Sequence, residues 1–139
     1  MNSFKNIIFD KSLIKFNWNS INFKMKNAKV IKIKKDQTNV YLKYSVEGYW
    51  INCVFGIIEI NTQLQDALIH ACNYLFKKYV DVFKVTICIW EDDQASRDFL
   101  TNIGFEQEVI IRDYIIFENK KYSIIIMSIF REDKNDQIS

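Results

Sequence analysis

The apolar pattern of this chain changes period at residue 62, and that change does most to limit what the chain can become. Upstream, YWINCVFGIIEI (49–60) is a long run suited to a strand. From 62 to 80, Leu64, Ala67, Leu68, Ala71, Cys72, Leu75, Phe76 and Tyr79 follow i, i+3, i+4, i+7 spacing, which predicts an amphipathic helix. Thr62-Gln63-Leu64-Gln65 has the form of a capping box and marks its start. FKVTICIW (83–90) is then a mostly apolar run bounded by charges, as a buried strand beside 49–60 would be. Strand, helix and strand over 49–90 make the chain's single βαβ unit, which sets two neighbouring strands parallel. Gly56, inside the first of them, suggests a bulge or a close backbone approach.

The segments around this unit read as antiparallel. IKFNW (14–18) and INFKM (21–25) alternate across a turn at Asn19-Ser20. VIKIK (30–34) alternates again, DQTN (36–39) interrupts, VYLKYSV (40–46) resumes, and Glu47-Gly48 turns the chain into 49–60. After residue 90, EDDQ opens a short helix with acids where the helix dipole favours them. Ala95, Phe99 and Ile103 keep helical spacing, and Gly104 supplies the residue that ends a helix cheaply. A strand over 105–117, a turn at ENKK (118–121) and a strand YSIIIMSIF (122–130) complete the order, and 132–139 is a polar tail. The expected class is α+β: a single mixed, mostly antiparallel sheet with one parallel pair and two main helices. At 139 residues the chain reads as one domain.

Composition narrows the function. No apolar run approaches the roughly 20 residues that span a bilayer, and Asp10 interrupts the place where a signal peptide needs its apolar stretch, so a soluble cytoplasmic protein is expected. Cys53, Cys72 and Cys88 lie far apart in apolar segments, and the chain has one histidine, which predicts buried thiols and no metal site. Residues 1–35 hold nine lysines against one acid, a net of +8 that leaves −6 for the rest of a chain of net +2. A basic end of this kind suits phosphate or an acidic partner, but no nucleic-acid motif accompanies it, so nucleic-acid binding is not expected.

Ser96, Gly104, Phe105, Glu108 and Arg112 then stand in a recognisable order. A helix ending in Gly-Phe, followed by Glu, Arg and a closing strand pair, resembles the GNAT acyltransferase superfamily. More narrowly it resembles the branch that acetylates the amino termini of ribosomal proteins. FGIIEIN (55–61) is similar to that branch's central strand, and the resemblance runs over residues 49–131; residues 1–48 form a divergent, basic, strand-rich part. The resemblance implies that acetyl-CoA lies in a splayed cleft between strands 49–60 and 83–90, with an amine-bearing peptide or small molecule as acceptor. It implies cofactor contacts at Ile58, Glu59, Ile60, Asn61, Thr62, Gln63, Asp93 and Ser96. Catalysis would fall to Ser96, as the acid that protonates the departing thiolate, and to Glu59, as a base or an orienting group.

The departures are equally specific. The superfamily's tyrosine position is Leu100, and the branch's Asn-x-x-Ser turn carries Asp93 in place of the asparagine. A glutamate of the branch falls at Ile115, no glycine lies between Gly56 and Gly104 to make a phosphate loop, and the helices that wall the acceptor site have no counterpart in 1–48. Each candidate also has a plainer role: Ser96 as a first-turn serine bonded to local backbone, Glu59 as a surface carboxylate, His70 as a solvated side chain, and Tyr114 and Tyr122 as packing aromatics. Asp92 and Asp93 are explained as a charge run at a helix end. Two function classes follow. One is an acetyl-CoA-dependent N-acyltransferase; the other is a non-catalytic GNAT-fold protein that acts by binding a partner. Exposed edge strands such as 14–18 or 122–130 further predict a homodimer.

Overall fold

The computed structural model describes residues 7–9, 27–35, 38–56 and 62–132. The strands expected at 14–18 and 21–25, and residues Ile58, Glu59, Ile60 and Asn61, lie outside these. In chain order the elements are β1 (Ile7–Phe9), β2 (Lys29–Lys35), β3 (Thr38–Glu47), β4 (Trp50–Gly56), α1 (Thr62–Lys78), β5 (Lys84–Trp90), α2 (Gln94–Asn102), β6 (Glu106–Phe117) and β7 (Lys120–Phe130). They form one seven-stranded sheet in the order β1-β2-β3-β4-β5-β7-β6. Every neighbouring pair is antiparallel except β4 and β5, which are parallel as the βαβ pattern requires. β1 was not anticipated by periodicity; its three residues pair with Ile31–Ile33.

Alternation fixes which face is which. Val85, Ile87 and Ile89 of β5 join Ile31, Ile33, Leu42, Tyr44, Ile51 and Cys53 in a core that includes Ala67, Leu68, Ala71, Cys72, Leu75 and Phe76 of α1. Phe99, Leu100 and Ile103 of α2 belong to the same core, so both helices cover one face of the sheet. Thr86, Cys88 and Trp90 point to the other face, because successive strand residues alternate. Burial of Cys53 and Cys72 raises both thiols, Cys72 to about 12, so neither is a thiolate near neutrality.

Two helix ends are held by identifiable devices. At the end of α2 the Phe105 N–H donates to the Leu100 carbonyl (2.9 Å) and the Gly104 N–H to the Thr101 carbonyl (3.1 Å), with Gly104 at φ +108°. That is a Schellman stop, and the buried Leu100 and Phe105 supply its apolar contact. At the end of α1, Arg131 donates to the carbonyls of Phe76 (2.7 Å), Tyr79 (2.9 Å) and Val82 (2.8 Å), while its guanidinium lies 4.9 Å from the Phe76 ring centre. One side chain after β7 therefore serves the Phe76 carbonyl in the last turn of α1 and two carbonyls of the loop that follows, of which that of Tyr79 also accepts the Val82 N–H (3.1 Å).

β6 is less regular than its sequence suggests. Its register with β7 shifts between Gln107 and Val109 and again between Ile111 and Ile115. At the second shift Asp113 takes φ +52°, and its N–H donates to the Ser123 hydroxyl (3.0 Å). Among the described residues no helix is long and apolar enough to cross a membrane.

Candidate active site at the open end of the strand pair

The parallel pairing of β4 and β5 is short. It sets Trp50 to Cys53 against Lys84 to Ile87. Beyond it, Val54–Gly56 keep their pairing with β3 (Lys43, Leu42 and Tyr41), while Cys88–Trp90 pair only with Ile126, Ile125 and Ile124 of β7. Among the described residues the facing edges of 54–56 and 88–90 thus carry no ladder to each other, which leaves an unpaired gap in the sheet beyond Cys53 and Ile87. Its base is pinned on the face away from the helices, where the Thr86 hydroxyl donates to Asn52 Oδ1 (2.7 Å) with the Ile51 carbonyl at 3.3 Å. Cys88 lies just above this point, its thiol pushed up to about 12 by burial, so it is no ready nucleophile.

Downstream of β5 the chain turns through Glu91 and Asp92, and Asp93 caps α2. Asp93 Oδ1 accepts from the Ser96 N–H (3.1 Å) and Asp93 Oδ2 from the Ser96 hydroxyl (2.6 Å). The carboxylate at the branch's asparagine position is thereby used within its own helix and offers no amide donor. Ser96 is buried (5% exposed), and so is Leu100 (0%), which packs in the core at the superfamily's tyrosine position. No phenol therefore stands at that position.

Glu108, at the first β6 irregularity, accepts from the Ser128 hydroxyl and from Lys84 (3.0 Å). The Ser128 hydrogen bond, supported by Lys84, holds its carboxyl below the usual glutamate range against a smaller opposing effect of burial. Arg112 pairs with Glu91 at 3.5 Å on the surface. His70 is exposed on α1, and Thr62 and Gln63 form the first turn of that helix, which carries no acid. Ser96 and Asp93 are brought together; Glu108 and Arg112 stand apart, on different partners. Among the described residues no three His, Cys, Asp or Glu side chains are grouped to hold a metal.

A cavity of about 440 Å³ opens at the carboxyl end of β5, lined by Trp90, Asp92, Ile115 and Tyr122. Trp90 and Tyr122 meet edge to face, 5.8 Å between ring centres and 67° between planes. Trp90 escaped the sequence reading. Its place at the end of the central β5, just before a charged turn, was the available signal.

No family model and no curated protein matches the chain by sequence. Solved structures do match in shape. A GNAT-family acetyltransferase from Bacillus anthracis superposes with a TM-score of 0.61 at 12% identity, covering 75% of this chain and 67% of its own. The ribosomal-protein-S18-alanine N-acetyltransferase from Escherichia coli gives 0.60 at 14%, covering 81% and 76%. A ribosomal L7/L12 alpha-N-protein acetyltransferase in complex with coenzyme A gives 0.63 at 13%, covering 74% and 62%. Together with the short parallel pair β4–β5 in an otherwise antiparallel sheet, these likenesses show that the chain has the GNAT acetyltransferase fold.

Proposed function

We propose that the protein is an acetyl-CoA-dependent N-acyltransferase that acts on an amine. The observation that carries this reading is the end of the β4–β5 ladder at Cys53 and Ile87, which among the described residues leaves the facing strand edges unpaired and able to take an extended amide-bearing arm. Acetyl-CoA would bring the activated thioester. Val54–Gly56, continued by Ile58, Glu59, Ile60 and Asn61, would pair with its pantetheine, and the acid-free first turn of α1, with Thr62 and Gln63, would face the pyrophosphate. The amine nitrogen attacks the thioester carbon, the C–N bond forms and the C–S bond breaks. The amine's proton leaves to solvent or to Glu59. Ser96 donates a hydrogen bond to the departing sulfur, which takes its proton from solvent; for this the hydroxyl turns away from Asp93. Residues 122–130, expected as an edge strand, lie in β7 between β5 and β6 and offer no edge; the outer edge of β6, unpaired among the described residues and with Val109, Ile111 and Ile116 exposed, supports a homodimer instead.

A second reading has its own observation. Ser96 is committed to Asp93, and Leu100 is sealed in the core, so neither of these two positions already points a proton at a leaving sulfur. This favours a GNAT-fold binding protein without catalysis. Release of free thiol from acetyl-CoA on addition of an amine panel separates the two. Amine-dependent release supports the enzyme, and none with any amine supports the binding protein.

A further inference from the structure

The cavity at the end of β5 has a definite chemical character. Its walls are the Trp90 and Tyr122 rings and Ile115, and its one charged lining residue among those described is Asp92. Ile115 reaches it because the irregular stretch of β6 moves the register from Ile111↔Ile124 to Ile115↔Tyr122. No described cation pairs with Asp92, whereas its neighbour Glu91 is taken by Arg112. A smaller cavity of about 170 Å³ shares Asp92 and Tyr122 and adds Lys120 and Lys121. Lys120 Nζ sits 5.2 Å from the Tyr122 ring centre, so positive charge already stands beside the aromatic wall and in the cavity that shares Asp92.

A volume of this size suits a small ligand. A single carboxylate beside two aromatic rings suits one ammonium, held by the charge and by the ring faces. The apolar walls favour a compact apolar carrier for that ammonium. A ligand with a second cation would bring it toward Lys120 and Lys121, where like charges repel. We propose that this pocket holds the acceptor, and that it selects a monocationic amine on a compact ring-bearing or branched apolar group over a polyamine. Asp92 holds the ammonium, and Trp90, Tyr122 and Ile115 hold the carrier. The acceptor role rests on the acyltransferase reading; the selectivity does not.

The test uses the full chain and 4-fluorophenethylamine, observed by fluorine NMR without acetyl-CoA, with unlabelled phenethylamine and spermidine as competitors. Phenethylamine should displace the probe and spermidine should not. Asp92→Asn, at an exposed turn position, should weaken probe binding about tenfold or more, the size expected when a charged hydrogen bond is lost. Lys121→Glu should let spermidine compete. Probe binding that is absent, unchanged by Asp92→Asn, or displaced by spermidine as readily as by phenethylamine overturns the pocket assignment, even if acetyl transfer to some other amine is observed. Asp92-dependent binding of the probe without thiol release from acetyl-CoA would instead overturn the enzyme reading and leave an amine-binding pocket.

Discussion

Replacing Ser96 by alanine separates its two roles in one variant. The hydroxyl is buried and donates to the Asp93 carboxylate at 2.6 Å, while Asp93 also accepts the Ser96 N–H at 3.1 Å. Alanine removes the first bond and keeps the second. A hydrogen bond to a charged group is worth about 1.5–3 kcal/mol, and Asp93 is exposed enough for water to replace part of it. The expected loss is therefore about 1 kcal/mol, within the range for a helix cap. With an unfolding entropy of about 2.1 cal/mol/K per residue over 139 residues, Tm should fall by about 3–4 °C. The catalytic proposal adds a second effect: kcat for thiol release should fall about 10²-fold or more, with the affinity for CoA little changed. Urea denaturation reads the first effect and steady-state kinetics the second. A variant that loses the expected stability but keeps full kcat would refute the role in chemistry and leave Ser96 as part of the helix start.

Two further outcomes follow from contacts away from the cleft. Arg131→Met keeps the apolar stem but strips donors from the carbonyls of Phe76, Tyr79 and Val82, and should cost about 2–3 kcal/mol in denaturant unfolding; a loss near zero would show that water serves those carbonyls as well. Because the folded-state value of Glu108 is depressed, its stabilisation is present above the unfolded glutamate value of about 4.3 and is lost as pH falls through the lower folded value. The Lys84–Glu108 pair is partly exposed, so the effect should stay within about 1 kcal/mol, and Glu108→Gln should flatten that part of the acid limb; an unchanged limb would contradict the assignment.

The parts of the fold that depend on local chemistry were legible in the chain. Helical spacing from 62 gave α1, a bounded apolar run gave β5, and Gly104 marked a stop that the structure realises with two backbone hydrogen bonds, from the Gly104 and Phe105 N–H groups back to the helix. Arg131 was not legible, because its three acceptors lie about fifty residues earlier and nothing in the local sequence points to them. The irregular stretches of β6 were also hidden: VIIRDYII alternates poorly, yet where it slips is decided by its pairing with β7 and by the Ser123 hydroxyl that receives the Asp113 N–H. At the site, the same turn that looked like a charge run holds two aspartates with different fates. Asp93 is consumed by Ser96, and Asp92 faces an aromatic cavity. Sequence spacing could place both on one turn but could not tell which carboxylate was spent.

The central claim is that the open strand pair binds acetyl-CoA, and thermal unfolding with the ligand tests it most directly. At about 100 times its Kd a ligand specific to the folded state adds about 2.7 kcal/mol, which for a chain of 139 residues is a rise of about 9 °C in Tm. The account predicts a saturable rise with both acetyl-CoA and CoA and none with an equal concentration of pantothenate or ADP mixed separately. An unchanged Tm at millimolar acetyl-CoA would contradict it.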